Sequence, residues 1–89
     1  MREGKIAIIN KLGLHARAAG KLVSTACSFS SQIKIGLNGR MVDAKSIMSV
    51  MMLAAGKGSI LEVKIDGSDE EKAFDSIEDL FNRRFDEGE

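Results

Sequence analysis

The sequence predicts an α+β fold in which one face of a β-sheet is covered by helices. Three observations carry this. Short β-branched, alternating runs recur along the chain, 3.6-residue apolar stripes lie between them, and an Asn-Gly pair separates two of the alternating runs. The order read from them is β-α-β-β-α-β-α, with the strand order in the sheet left open between several arrangements.

Lys5 to Ile9 form a β-branched strand. Ala16 to Cys27 follow as a helix, with Ala19, Leu22, Val23 and Ala26 on one face. Cys27, near its end, is expected to be a semi-buried small apolar residue. Gln32 to Leu37 alternate, with Ile33, Ile35 and Leu37 on one side, and Asn38-Gly39 supplies residues that tolerate positive φ for a two-residue hairpin. That hairpin outweighs a superficial match of Gly36-Leu37-Asn38-Gly39 to the GxxG of a nucleic-acid module. Arg40 to Asp43 return, with Met41 expected to point inward. Ser46 caps a short helix of Ile47 to Ala55, with Gly56 as its stop. Ser59 to Asp66 alternate again. Ser68 and Glu71 have the spacing of a capping box before a helix that buries Phe74, Ile77, Leu80 and Phe81. Asp86-Glu87-Gly88-Glu89 reads as a frayed, solvated tail.

The 89 residues suit one small domain spanning 1–89, and 44% apolar with 29% charged residues is a globular composition. Thirteen basic residues balance thirteen acidic ones, which argues against nucleic-acid binding through bulk charge. No apolar run approaches the ~20 residues that span a bilayer, and the first residues lack a signal-peptide stretch. A single cysteine forms no internal disulfide. These features fit a cytoplasmic protein.

The only histidine, His15, stands where a loop meets the first helix, in Asn10-Lys11-Leu12-Gly13-Leu14-His15-Ala16-Arg17. It brings no metal partner and no triad. Its imidazole is nucleophilic near neutral pH, and a helix start offers unpaired N–H groups and a positive dipole end. Arg17 lies in the first turn, where a cation opposes the dipole, and anion binding is the simplest reason for it. The positive surroundings should keep His15 neutral before it reacts.

Gly13-Leu14-His15-Ala16-Arg17, with Ala19 and Leu22-Val23, resembles the phosphorylation site of the HPr family, the histidine phosphocarriers of the bacterial phosphoenolpyruvate-dependent phosphotransferase system. Ala44-Lys45-Ser46-Ile47-Met48, with Met51, Leu53, Ala54 and Lys57-Gly58, resembles the family's second characteristic region. The resemblance runs over nearly the whole chain. It implies an open-faced β-sandwich, a four-stranded antiparallel sheet covered on one face by three helices. It also implies a carrier rather than an enzyme, monomeric and without cofactor. His15 would accept a phosphoryl group on Nδ1 from enzyme I and pass it to enzyme IIA-type proteins. The backbone N–H of Ala16 and the Arg17 guanidinium would hold the phosphoryl oxygens. Ile47, Met48 and Met51 would dock partners as an exposed apolar patch, and Ser46 would be a regulatory phosphorylation site for an HPr kinase/phosphorylase. The segment from Ser46 to Gly58 also resembles carriers in which regulation outweighs sugar uptake, including a nitrogen-related branch. The family usually has proline after the arginine, and this chain has Ala18, so a slightly more mobile first turn with preserved chemistry is expected. The alternative is a small-ligand or protein-binding regulatory domain on a similar scaffold, without phosphoryl relay.

Overall fold

A computed structural model describes residues 1–87 of the chain. Its elements are β1 (Arg2–Ala7), α1 (Ala16–Cys27), β2 (Gln32–Leu37), β3 (Arg40–Asp43), α2 (Ile47–Met52), β4 (Ile60–Asp66) and α3 (Glu70–Asn82), followed by a 3-10 turn at Arg84–Asp86. The four strands form one antiparallel sheet in the order β1-β4-β2-β3. The sequence reading left this order open. It is the β-α-β-β-α-β-α open-faced sandwich implied by the resemblance. The single core lies between one sheet face and the helices. Ile6, Ile33, Ile35, Leu61, Val63 and Ile65 meet Ala19, Leu22 and Ala26 of α1 and Phe74, Ile77 and Phe81 of α3. Burying a large apolar side chain of this kind contributes about 1.5–3 kcal/mol.

The structure corrects several boundaries. The first strand starts at Arg2 rather than Lys5, because pairing with β4 runs from Arg2↔Ile65 to Ala7↔Ile60. Gly4 belongs to it for a packing reason: a Cβ there would lie 2.6 Å from Cζ of Phe74. The Arg2 guanidinium closes over the same ring at 3.8 Å from its centroid. Past Ala7 the chain stays tied to the loop before β4, through Ile8 N–H to Ser59 O (2.9 Å) and Gly58 N–H to Ile8 O (2.8 Å).

At the hairpin, Asn38 and Gly39 both have positive φ, 54° and 86°. The two-residue turn sets Ile35 opposite Val42 and Gly36 opposite Met41. Val42 is therefore the residue that packs against the core. Met41, expected inward, lies on the open face, where Gly36 leaves room. Cys27 is exposed rather than semi-buried, one position around the helix from the buried Ala26.

Ser46 caps α2 as expected, accepting from Ser49 N–H at 3.4 Å. The helix ends at Met52, short of the predicted Ala55, and Ala54 rather than a glycine takes the left-handed conformation (φ 51°). Leu53 and Ala55 are both buried. Continuing the helix would turn the Ala55 carbonyl away from its partner, Leu14 N–H at 2.9 Å.

The predicted Ser68–Glu71 capping box does not form. The N-cap of α3 is Asp69, and Glu70 accepts from Gly67 N–H at 3.3 Å. The Asp69 carboxylate instead accepts four hydrogen bonds from the loop before β2. These come from Ser30 N–H (2.9 Å) and hydroxyl (3.1 Å), and from Ser31 N–H (3.0 Å) and hydroxyl. The Ser31 hydroxyl bond and the Ser30 N–H bond lower its pKa to about 2. The native pKa lies below the unfolded value of about 3.9, so the fold favours the ionised form. This stabilisation is present above pH ~4 and is lost as pH falls toward about 2. Asp69→Asn should lower the melting temperature near neutral pH and flatten its fall on acidification. Thermal unfolding followed by circular dichroism across that pH range measures both.

Candidate phosphoryl-acceptor site

His15 is placed by the residues before it. Leu14 is buried, and its N–H donates to Ala55 O. Gly13 makes the approach at φ 64°, where a Cβ would lie 2.6 Å from that same Ala55 carbonyl oxygen and 2.7 Å from Gly56 Cα. Only glycine fits both the conformation and the space. Asn10 is fully buried, and its Nδ2 donates to Gly13 O at 2.9 Å. The loop is thus fastened on one side by a buried amide and on the other by the end of α2.

His15 is the N-cap of α1, with extended backbone (φ −73°, ψ 177°), and its carbonyl accepts the first helical bond from Ala19 N–H at 2.8 Å. Its side chain makes no capping bond. The ring is turned into an open cleft of about 420 Å³ lined by Lys11, Leu12, His15, Arg17 and Glu87. Ala16 and Arg17 are exposed at the helix start, ahead of that first helical bond. The structure therefore brings His15 and Arg17 into one cleft, with Ala16 as the first residue of α1 between them. Ala18 lies in the same first turn, where an N–H has no helical acceptor, so the proline usual in the family would cost no helical bond there. Its methyl is fully buried.

Glu87 was not foreseen. Its Oε2 contacts Nε2 of His15, and its Oε1 accepts from Asn10 Nδ2 at 2.9 Å. Burial pushes its carboxyl pKa up. The hydrogen bonds from Asn10 and His15 and the nearby positive charge of Arg17 outweigh this, and the net shift is down. The surroundings of His15 are therefore of mixed sign, not simply positive as the sequence suggested.

The expected frayed, solvated tail is thus corrected for Glu87, whose side chain is 9% exposed. Asp86 is ordered in the 3-10 turn but stays exposed, and Gly88 and Glu89 lie outside the described residues. After α3, Arg83 pairs with Asp79 (2.8 Å) and Asp86 (2.9 Å). Arg84, Phe85 and Asp86 then take φ of 54°, 53° and 61°. Phe85 is fully buried, edge-on to Phe81 with centroids 4.8 Å apart. Lys21 Nζ donates to its carbonyl at 2.7 Å. The overlooked signal was Phe85 itself, an aromatic four residues past Phe81 in the sequence.

Beside the site, α2 divides its side chains. Val50 and Leu53 are buried, whereas Ile47, Met48, Met51 and Met52 are 42%, 71%, 40% and 60% exposed. Ile47 approaches α1 at Gly20. Among the described residues, no group of His, Cys, Asp or Glu could hold a metal ion, and no helix is long and apolar enough to cross a membrane.

The family model described as the PTS HPr component phosphorylation site matches residues 2–83. The phosphocarrier protein HPr of Cupriavidus necator is 60% identical over 92% of each chain, and that of Pseudomonas aeruginosa is 54% identical over 96% of each. Among solved structures, HPr-C-His from Thermoanaerobacter tengcongensis superposes with a TM-score of 0.94 at 44% identity, covering 98% of both chains. The chain belongs to the HPr family of phosphocarrier proteins of the phosphotransferase system.

Proposed function

We propose that the protein relays a phosphoryl group through His15, taking it from the phosphohistidine of enzyme I and giving it to an enzyme IIA-type acceptor. The observation that carries this is the placement of a lone imidazole at the open start of α1, in one cleft with Arg17. Phosphoryl transfer needs in-line placement and neutralisation of the equatorial oxygens more than covalent machinery. The N–H groups of Ala16 and Arg17 and the guanidinium supply that neutralisation. A P–N bond keeps a high transfer potential, so the group can move on, whereas a serine ester would be a poorer relay. With phosphoenolpyruvate and enzyme I, the chain should gain one acid-labile phosphoryl group by intact mass, and His15→Ala should gain none. Labelling of the His15→Ala protein would overturn the assignment. No labelling of the wild type would favour a regulatory module without relay.

The exposed face of α2 supports a docking role for Ile47, Met48 and Met51, because methionine adapts to partners of different shape. Donor and acceptor must use this face in turn, so it has to release each of them, which suits a small patch. Ser46 serves first as the cap of α2. A phosphate on it would suit the helix dipole yet set about two negative charges beside the apolar patch. Through that charge, an HPr kinase/phosphorylase would slow docking. Met48→Glu and Ser46→Asp should each raise the enzyme I concentration needed for half-maximal phosphorylation by roughly tenfold, the effect of about 1.4 kcal/mol. Thermal unfolding of Met48→Glu should match wild type, since Met48 is 71% exposed.

A further inference from the structure

We propose that Glu87 is a positioning residue for His15. Its carboxylate holds the imidazole proton on Nε2, leaves the lone pair on Nδ1, and stabilises the positive ring that phosphorylation creates. This rests on the relay proposed above and assigns a role within it to a residue beyond the matched stretch 2–83.

The contact is built rather than incidental. Glu87 Oε2 meets Nε2 of His15 while Oε1 takes the Nδ2 proton of the fully buried Asn10 (2.9 Å), which also holds the loop at Gly13 (2.9 Å). One amide therefore sets both the loop that presents the histidine and the carboxylate that faces it. The Glu87 side chain is only 9% exposed, so it is held against its partners at the edge of the open cleft. The backbone that delivers it runs through three successive residues of positive φ. That conformation is disfavoured for residues with a side chain, and the burial of Phe85 offsets part of the cost.

The chemistry follows from the ring. With Nε2 donating to an ionised carboxylate, the proton is fixed there and Nδ1 is the basic nitrogen. The Nδ1 lone pair attacks phosphorus and forms the new P–N bond. The donor's P–N bond breaks, and its electron pair returns to the donor nitrogen. The His15 ring, still protonated at Nε2, is now cationic and faces the Glu87 carboxylate. A carboxylate orienting an imidazole and supporting its cation is the division of labour found in hydrolase triads. Arg17 lines the same cleft and would bear on the phosphoryl oxygens, while Glu87 holds the other ring nitrogen.

The test uses the full chain with 15N-labelled histidine and three proteins: wild type, Glu87→Gln and Glu87→Ala. In the wild type, the Nε2–H proton should appear downfield and exchange slowly with water. Glu87→Ala should lose that resonance. Single-turnover phosphorylation by excess phospho-enzyme I should fall about tenfold in its saturating rate for both variants, with the half-saturating concentration unchanged, as expected for a charge-assisted hydrogen bond lost at the reacting group. A wild-type Nε2–H signal that persists in Glu87→Ala overturns the proposal. So does a Glu87→Gln protein as fast as wild type, because the charge would then play no part, and so does a change confined to half-saturation, which would mark Glu87 as a docking residue. If no protein accepts phosphate, the relay reading fails, and the resonance still decides whether Glu87 sets the tautomer.

Discussion

The crossing of Gly13-Leu14 over the carbonyl of Ala55 is the constraint on which the site depends. The Leu14 N–H takes that carbonyl at 2.9 Å, and Gly13 clears it only because it has no side chain. The loop before α1 and the exit from α2 are far apart in sequence, and this bond makes them one object. It explains why α2 stops at Met52 and why Ala54 accepts a left-handed conformation. It also sets the exposed face of α2 beside the cleft that holds His15. A shift in either segment would move His15 relative to the exposed face of α2.

Charge is distributed around His15 with the same economy. The helix start and Arg17 make one side of the cleft suited to an anion. Glu87 brings a carboxylate to the other nitrogen of the ring. A site that only attracted phosphate would hold it, whereas a carrier has to let it go. In the proposed relay, Glu87 would stabilise the ring when it is cationic, and Arg17 with the helix start would stabilise the phosphoryl oxygens separately.

Much of this was legible in the chain. Periodicity and turn chemistry located the four strands and three α-helices, and the Asn-Gly turn was placed correctly. The Gly13-to-Arg17 motif singled out two residues, His15 and Arg17, that share one cleft. The errors have physical reasons. Met41 was assigned inward although a two-residue turn after Leu37 sets Val42, not Met41, opposite Ile35. The Ser68–Glu71 spacing satisfied a local rule, but Asp69 was claimed by Ser30 and Ser31 from another loop, and the helix began there instead. The last residues looked solvated because they are mostly acidic. Glu87 is nevertheless turned back toward His15, after Phe85 has packed against Phe81.

The sequence by itself determined the class of fold, the order of its elements, the single histidine at a helix start and the capped, methionine-rich second helix. These are written in neighbouring residues, through side-chain period, turn chemistry and capping, which act within a few positions of one another. Only the tertiary structure decided the strand order β1-β4-β2-β3, the early end of α2 and the meeting of Asn10, His15 and Glu87. Those depend on which distant groups satisfy one another's hydrogen bonds once buried, and no local pattern records that choice.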